Sequence, residues 1–343
     1  MIVEARMSNQ FLWGTKKANV LKDMLAMQAQ EFPYAKWSLA QRTPGLTEAM
    51  VDKAFAEGAI LRTHLMRPTW HFVSREDIAW LVELTAPRVK AVNAPYHRAN
   101  EVTGEMCTRA SALFEKALGD GEHLERKQMR AVLEAAGLEL TNLQLGFLLS
   151  NAELDRVICS GAPRGKQQTY ALLDLRAPGA KRLERDEAIA ELAKRYFTTR
   201  GPATLKDFAW WSGLTMADGK RGAADAGISS EVIDGRTYYH AGMPKAKEKS
   251  PRIDLVQIYD EIGMAYTESR HHLSIPDLPR PDPAPYYHSI LLDGRLIGHW
   301  RRNVKGKAIS FDTHLFRRLD GAENEALEAA MRRFRGYSSV AQS

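Results

Sequence analysis

The sequence predicts an α+β, mainly helical protein made of three tandem helical units, each closed by a β-hairpin, and a C-terminal β-rich subdomain. The order helix, helix, helix, hairpin recurs three times at a spacing of roughly 75 to 100 residues, which argues for an array. Turn chemistry marks the hairpins, most clearly Asp234-Gly235, a two-residue hairpin signal. After the charged stretch Lys245 to Lys249 the helical periodicity gives way to strand-like runs. Three helices followed by a hairpin make a winged helix. The expected boundaries are 1–90 for the first winged helix with a linking helix, 91–180 for the second, 181–245 for the third, and 246–343 for the β-rich subdomain with a terminal helix.

In the first unit the spacing predicts a helix from Thr15 that ends near Gln28 to Gln30, then a short helical piece at Trp37 to Gln41. Thr47 can cap Glu48 to Glu57, and Gly58 stands where a helix C-terminus favours glycine. Ile60 to Val73 reads as two strands around Arg67-Pro68, and Ser74 with Asp77 resembles a capping box opening a linking helix from Arg75 to about Lys90. The second unit places helices at Thr108 to Leu118, Glu125 to Ala136 and Asn142 to Leu154, then strands on either side of the basic tip Arg164-Gly165-Lys166. The third has helices at Asp186 to Tyr196, Leu205 to Trp211 and Met216 to Ala226, and a hairpin from Ser230 to His240. Beyond it, Leu255 to Tyr259, Ser289 to Leu292, Leu296 to Arg301 and Ile309 to Phe316 look like strands. The proline-dense Pro276 to Pro285 reads as loop, and Glu323 to Phe334 as an amphipathic helix.

Composition narrows the function. Hydrophobic residues make up 44% and charged residues 26% of 343, a globular balance. There is no run of about 18 apolar residues, and Glu4 and Arg6 interrupt the place where a signal peptide needs its apolar core. A cytoplasmic, nucleoid-associated location with no membrane partner is expected. Cys107 and Cys159 have no paired spacing, and His271-His272 lacks a Cys or carboxylate at ligand spacing, so neither disulfide nor metal is expected. No phosphate-cradling glycine loop and no dinucleotide fingerprint occurs, which argues against a nucleotide or any other cofactor.

The formal net charge of +6 favours a polyanionic partner, because Lys and Arg supply most non-specific nucleic-acid affinity by neutralising phosphates. Its placement follows the hairpins: Arg62, His64 and Arg67 in the first, Arg164 and Lys166 at the tip of the second, Lys220 and Arg221 on the last helix of the third unit. Arg301, Arg302, Lys305 and Lys307 form the densest patch, after Trp300. These residues are candidate contacts to double-stranded DNA. Trp210-Trp211 could stack on bases, although core burial is the commoner role of such a pair.

One polar interruption stands out. Leu21, Met24 and Leu25 mark a helical face by their spacing, and the next position of that stripe is Gln28. Pro33 disfavours helical geometry at Phe32. If the chain is extended by then, Gln28 and Gln30 point the same way, whereas a continuing helix would set them about 200° apart. Two carboxamides would then face one space; two helix-end glutamines facing water is the competing reading.

Taken together, Gln28-Ala29-Gln30, the Leu61 to His71 hairpin, Gly201-Pro202-Ala203-Thr204-Leu205-Lys206-Asp207-Phe208-Ala209-Trp210-Trp211-Ser212-Gly213, and Leu292-Asp293-Gly294-Arg295 followed by Trp300-Arg301-Arg302 resemble the AlkZ/YcaQ-type winged-helix DNA glycosylases, in order and over nearly the whole chain. Ile258-Tyr259-Asp260-Glu261 is loosely similar to an acidic position of that family. The resemblance implies three winged helices and a β-rich subdomain forming a concave DNA-binding surface, and it implies that Gln28 and Gln30 are catalytic. A glutamine amide is neutral and cannot be a strong base, but its carbonyl can orient water and face positive charge developing on a sugar. That suits a good leaving group such as a cationic N7-alkylpurine, bulky or crosslinked. Lys22 and Lys36 lie away from the motif, which favours a monofunctional glycosylase over a lyase. The expectation is a monomeric DNA repair hydrolase acting on alkylation damage, interstrand crosslinks included. A non-enzymatic winged-helix DNA-binding protein or transcriptional regulator is the alternative.

Overall fold

Leu25 interrupts the first apolar helix. In the computed structural model, which describes residues 1–14, 17, 19–244, 248–279, 288–306 and 308–339, the helix Val20–Met24 stops at Leu25, whose φ of 65° lies in the left-handed region. Ala26–Gln28 then run as a short, fully buried strand. The sequence placed Gln28 within or at the end of that helix; the helix ends four residues earlier because a left-handed residue cannot propagate the α ladder. Pro33 also acts in the opposite sense to the expected stop. It occupies the first turn of a new helix, Phe32–Ala40, where its fixed φ suits helix geometry and its missing N–H is not needed. The start assigned at Thr15, residues 245–247 of the linker, residues 280–285 of the proline-dense loop and Lys307 lie outside the described residues.

The chain is mixed α/β and divides into two compact units. One gathers Met1–Val51, Ala190–Trp211 and Met216–Ser343; the other holds Asp52–Ile189 with Ser212–Thr215. The first is built on an antiparallel sheet in the order Ala308–Leu315, Arg295–Lys305, His288–Leu292, Ile253–Val256. Asp293, at φ 46°, and Gly294, at φ 76°, make the tight turn that the Asp-Gly pair announces. Apolar residues on one face of this sheet, among them Leu255, Ile290 and Trp300, pack with Trp37 and with Leu327, Met331 and Phe334 of the terminal helix Gly321–Ser339. A second cluster brings Val3, Met7 and Trp13 onto Val256, Ile262 and Leu291. The Trp13 indole donates to Asp254 (2.9 Å) and the Trp37 indole to the Leu255 carbonyl (2.7 Å), so each large ring is fixed at its polar end as well.

A buried ion pair completes this packing. Arg42, just past the Phe32–Ala40 helix, donates to both oxygens of Asp260 (2.6 and 2.9 Å), and Ser38 Oγ donates to the same carboxylate (2.7 Å). Arg42 and Asp260 are both buried. Burial would raise the Asp260 carboxyl, but the Arg42 guanidinium and the Ile262 N–H that Asp260 caps hold it below its ordinary value.

The second unit carries the long helix Ile78–Ala99 and the helices Gly104–Ala117, Arg126–Ala135 and Asn142–Leu154. Capping boxes start the last two: Glu125 with Gln128, and Thr141 with Gln144. Phe114, Met129, Leu133, Leu145, Leu148 and Ile158 share their core. Ile60–Leu65 and Thr69–Ser74 form one hairpin in register Leu61 to Val73 and His64 to Trp70. Ile158–Ser160 and Thr169–Leu172 form another, extended by Leu124–Glu125. In the first unit the helices Leu205–Ser212 and Met216–Asp225 precede the Ser229–Ile233 and Arg236–His240 hairpin, which turns at Asp234-Gly235 as its sequence predicts.

Replacing Phe334 by alanine should cost about 3–5 kcal/mol, because its ring is fully buried between Trp37, Trp300 and Phe311. A lowered urea midpoint at unchanged m-value checks it. Asp260→Asn leaves Arg42 buried without its anion and should cost about 3–5 kcal/mol at pH 7. Because the folded Asp260 pKa is lowered, its stabilisation is present above the ordinary value of 3.8 and is lost as pH falls through the folded pKa. Urea midpoints of wild type and variant should therefore stay apart above 3.8 and converge as pH falls from there through the folded pKa.

Candidate active site

Gln28 ends the buried strand and is 3% exposed, while Gln30 is half-buried. Both backbone groups of Gln28 are held by side chains. Its N–H donates to Glu261 Oε1 (2.9 Å), and its carbonyl accepts from Gln257 Nε2 (3.3 Å). Gln257 also donates to Ser38 Oγ (3.2 Å). A strand that is only three residues long is thus locked at its last residue by contacts from the β-rich part of the same unit.

Glu261 is the centre of that lock. Its Oε2 accepts from Arg200 Nε (2.9 Å) and from the Trp211 indole (2.8 Å). Arg200 in turn donates to the carbonyls of Met24 (3.0 Å) and Ala26 (2.6 Å), closing off the end of the Val20–Met24 helix and the first peptide of the strand. Its guanidinium lies 4.3 Å over the Trp211 ring. Glu261, Arg200 and Trp211 are all fully buried. A full charge at such a position is tolerated because its oxygens meet an arginine and two further donors. The arrangement is structural: it fixes the backbone that carries the glutamines. Beside Gln257 opens a cavity of 310 Å³, lined in part by Tyr259, Ile262, Met264 and Leu273.

The residues after the motif carry titratable groups. Glu31 is the N-cap residue of the Phe32–Ala40 helix, yet its side chain makes no capping bond. Burial raises its carboxyl above the ordinary value. His288, in the sheet, is brought down to about 4 by burial and by the neighbouring Arg302 and His299. Tyr34 packs on the His288 ring with centroids 3.8 Å apart.

The candidate DNA contacts fall in both units. Arg301, Arg302 and Lys305 lie on the strand Arg295–Lys305 of the first; Arg301 pairs with Asp312 (2.8 Å), Arg302 lies 5.0 Å over the Tyr34 ring, and Lys305 is exposed. Lys220 and Arg221 are exposed on Met216–Asp225, with Arg221 3.5 Å from Asp218. In the second unit Arg62 stacks on Trp70 at 4.3 Å, and burial lowers its guanidinium to about 10, so it remains cationic at neutral pH. His64 is tied to the buried Glu153 carboxylate and packs on Trp70. Arg67 sits at the turn of the same hairpin, half-buried. Arg164 and Lys166 are exposed on the second hairpin's tip, with Arg164 3.7 Å from Glu122. Of the tryptophan pair, Trp211 is core and Trp210 is 45% exposed. His272 bonds Tyr238 through Nε2 (2.9 Å), and among the described residues no group of three or more His, Cys, Asp or Glu side chains could hold a metal ion. Among them, too, no helix is long and apolar enough to cross a membrane.

Sequence reasoning missed Glu261, Arg200, Arg42 and Gln257 as the residues that hold the motif. The acidic pair Asp260-Glu261 was the available signal, since two consecutive acids between apolar residues need partners once buried.

A solved structure, DNA glycosylase AlkZ of Streptomyces sahachiroi, superposes with a TM-score of 0.77 over 98% of this chain and 95% of its own, at 21% identity, a likeness of fold. A curated protein of Streptomyces sahachiroi named as an interstrand DNA cross-link repair glycosylase is 27% identical over 221 residues, 61% of this chain. The match spans 59% of that relative's length. A family model described as DNA glycosylase AlkZ-like matches residues 21–337, almost the whole sequence and every segment that positions Gln28. The chain belongs to the AlkZ-like DNA glycosylase family.

Proposed function

We propose that this protein is a monofunctional DNA glycosylase that hydrolyses the N-glycosidic bond of alkylated bases, N7-alkylpurines in bulky or crosslinked form, in duplex DNA. The observation that carries the reading is the immobilised Gln28: both its backbone groups are engaged by Glu261 and Gln257, and Gln30 follows two residues on. Catalysis by a neutral amide depends on preorganisation, because the dipole gains only if it need not reorient as charge develops. A base that is already cationic leaves without strong acid assistance, so carboxamides that orient water and face an oxocarbenium-like sugar suffice. Family membership and the crosslink-repair name of the relative from Streptomyces sahachiroi support the same class.

In this reading the helix, helix, helix, hairpin runs of residues 1–90, 91–180 and 181–245 are winged helices, and residues 246–343 complete the DNA-binding protein. It acts as a monomer without nucleotide, metal or other cofactor, in the cytoplasm on nucleoid DNA. Arg62, His64, Arg67, Arg164, Lys166, Lys220, Arg221, Arg301, Arg302 and Lys305 are its DNA contacts. Among the exposed ones, Lys166, Lys220 and Lys305 meet phosphates, whereas Arg62 and His64, held by Trp70 and Glu153, shape the hairpin that approaches the duplex.

Purified protein should release N7-methylguanine from duplex DNA and leave abasic sites without strand cleavage. Gln28→Ala and Gln30→Ala should each lower single-turnover release by about 10²-fold with DNA affinity unchanged; full activity in both variants would sink the assignment. Lys305→Ala should weaken binding to any duplex and flatten the slope of log affinity against log salt by about 1, measured by fluorescence anisotropy. A slope equal to wild type rules out a phosphate contact at Lys305.

A further inference from the structure

The glutamine pair lacks a base, and the residue that follows it supplies one. Glu31 closes the Gln28-Ala29-Gln30 segment, and its backbone carbonyl accepts the Tyr34 and Ala35 N–H groups while its side chain leaves the helix uncapped. The carboxylate instead turns to the sheet, where Glu31 Oε2 lies 3.6 Å from His288 Nε2. The His288 Nδ1 accepts the Ile258 N–H (3.2 Å), so in the neutral ring the proton sits on Nε2 and faces Glu31.

The protonation state of that ring matters. His288 is buried against Tyr34 and Trp300, and the charged or titratable groups near it on the adjoining strand are Arg302 and His299. Burial first, then the neighbouring Arg302 and His299, keep the imidazole neutral at physiological pH. A neutral ring at this distance leaves the proton affinity of Glu31 intact, whereas an imidazolium would lower it. Burial acts on Glu31 in the direction a base requires, raising its carboxyl above the usual value. At 40% side-chain exposure it still meets solvent, to which a proton can be returned.

We propose that Glu31 is the general base of this site, taking a proton from the water that the Gln28 and Gln30 carboxamides orient, with the neutral His288 ring beside it. The inference rests on the alkylpurine reading above. As the bond between C1′ and the purine nitrogen breaks, its electron pair returns to the base and cancels the positive charge of the alkylated ring. The water oxygen bonds to C1′, and one water proton moves to a Glu31 oxygen and from there to solvent. His288 keeps its Nε2 proton throughout, and no further reactant is needed.

The test is single-turnover release of N7-methylguanine and N3-methyladenine from duplex DNA by the full chain from pH 8 down to pH 4, for wild type, Glu31→Gln and Glu31→Asp. Wild-type release should fall as pH drops through the raised Glu31 pKa, because the protonated acid cannot accept a proton. Glu31→Gln should lose about 10²-fold at pH 7 and show no acid limb, with melting temperature and DNA affinity at wild-type values, and Glu31→Asp should restore the limb. Release by Glu31→Gln within threefold of wild type at every pH, or a loss that keeps the acid limb, overturns the role of Glu31 alone. Wild-type protein that releases neither base overturns the alkylpurine reading, and the base role with it.

Discussion

Two consecutive buried carboxylates, Asp260 and Glu261, are the joint on which the first unit turns. Each faces a buried arginine supplied from elsewhere in the chain, Arg42 for Asp260 and Arg200 for Glu261. An unpaired charge there would cost several kcal/mol, so the geometry of both pairs is narrowly fixed. Everything hung on them inherits that precision: Arg42 holds the end of the Phe32–Ala40 helix through the Ser38 carbonyl, and Arg200 holds Met24 and Ala26. The segment between these two anchors is the one that carries Gln28, Gln30 and Glu31. Rigidity at the motif thus comes from electrostatics beneath it, and not from the regularity of a long helix or a wide sheet.

The same unit repeats this device once more. Arg6 donates to the Pro202 carbonyl (2.9 Å) and to Ser269, while Asp207 accepts the N–H groups of Thr267, Glu268 and Ser269. Asp207 also caps its own helix through Thr204, so one carboxylate starts a helix and gathers a loop. Aromatic rings cover these charges: the Tyr266 ring lies 3.7 Å from the Arg6 guanidinium and the Trp211 ring 4.3 Å from that of Arg200. Buried arginines with an aromatic lid are a recurring solution here to bringing cations into a core.

Local rules made much of the architecture legible. The capping pair at Thr141 and Gln144, the Asp-Gly turns at 234–235 and 293–294, and Gly58 at a helix end all announce in a few residues what the chain then does. Where local rules failed, tertiary forces overrode them. The apolar spacing of Leu21, Met24 and Leu25 extends a helix through Gln28, yet the helix ends at Met24 with all three residues in the core, because burial rewards their contacts and not their periodicity. Gln28 was singled out by its place in the apolar stripe, but its anchors could not be read, since Glu261 and Gln257 lie more than two hundred residues away. His64 reads from the sequence as a candidate DNA contact on the first hairpin; the Glu153 that holds it comes from a helix, a pairing no spacing rule encodes.

The 233-residue separation between Gln28 and the carboxylate that fixes it has a consequence for biosynthesis. At ribosomal speeds of roughly 5–20 residues per second, the amino-terminal segment waits on the order of ten to fifty seconds before Glu261 is made. Until then Arg42 and Arg200 have no acidic counterparts from this joint, and the glutamine segment has no floor. The polymer-entropy cost of closing so long a loop is met late, by a finished chain. An incomplete nascent protein can therefore hold folded helices and hairpins while its glutamine segment is still without its anchors, so that segment is fixed only after Glu261 has been made.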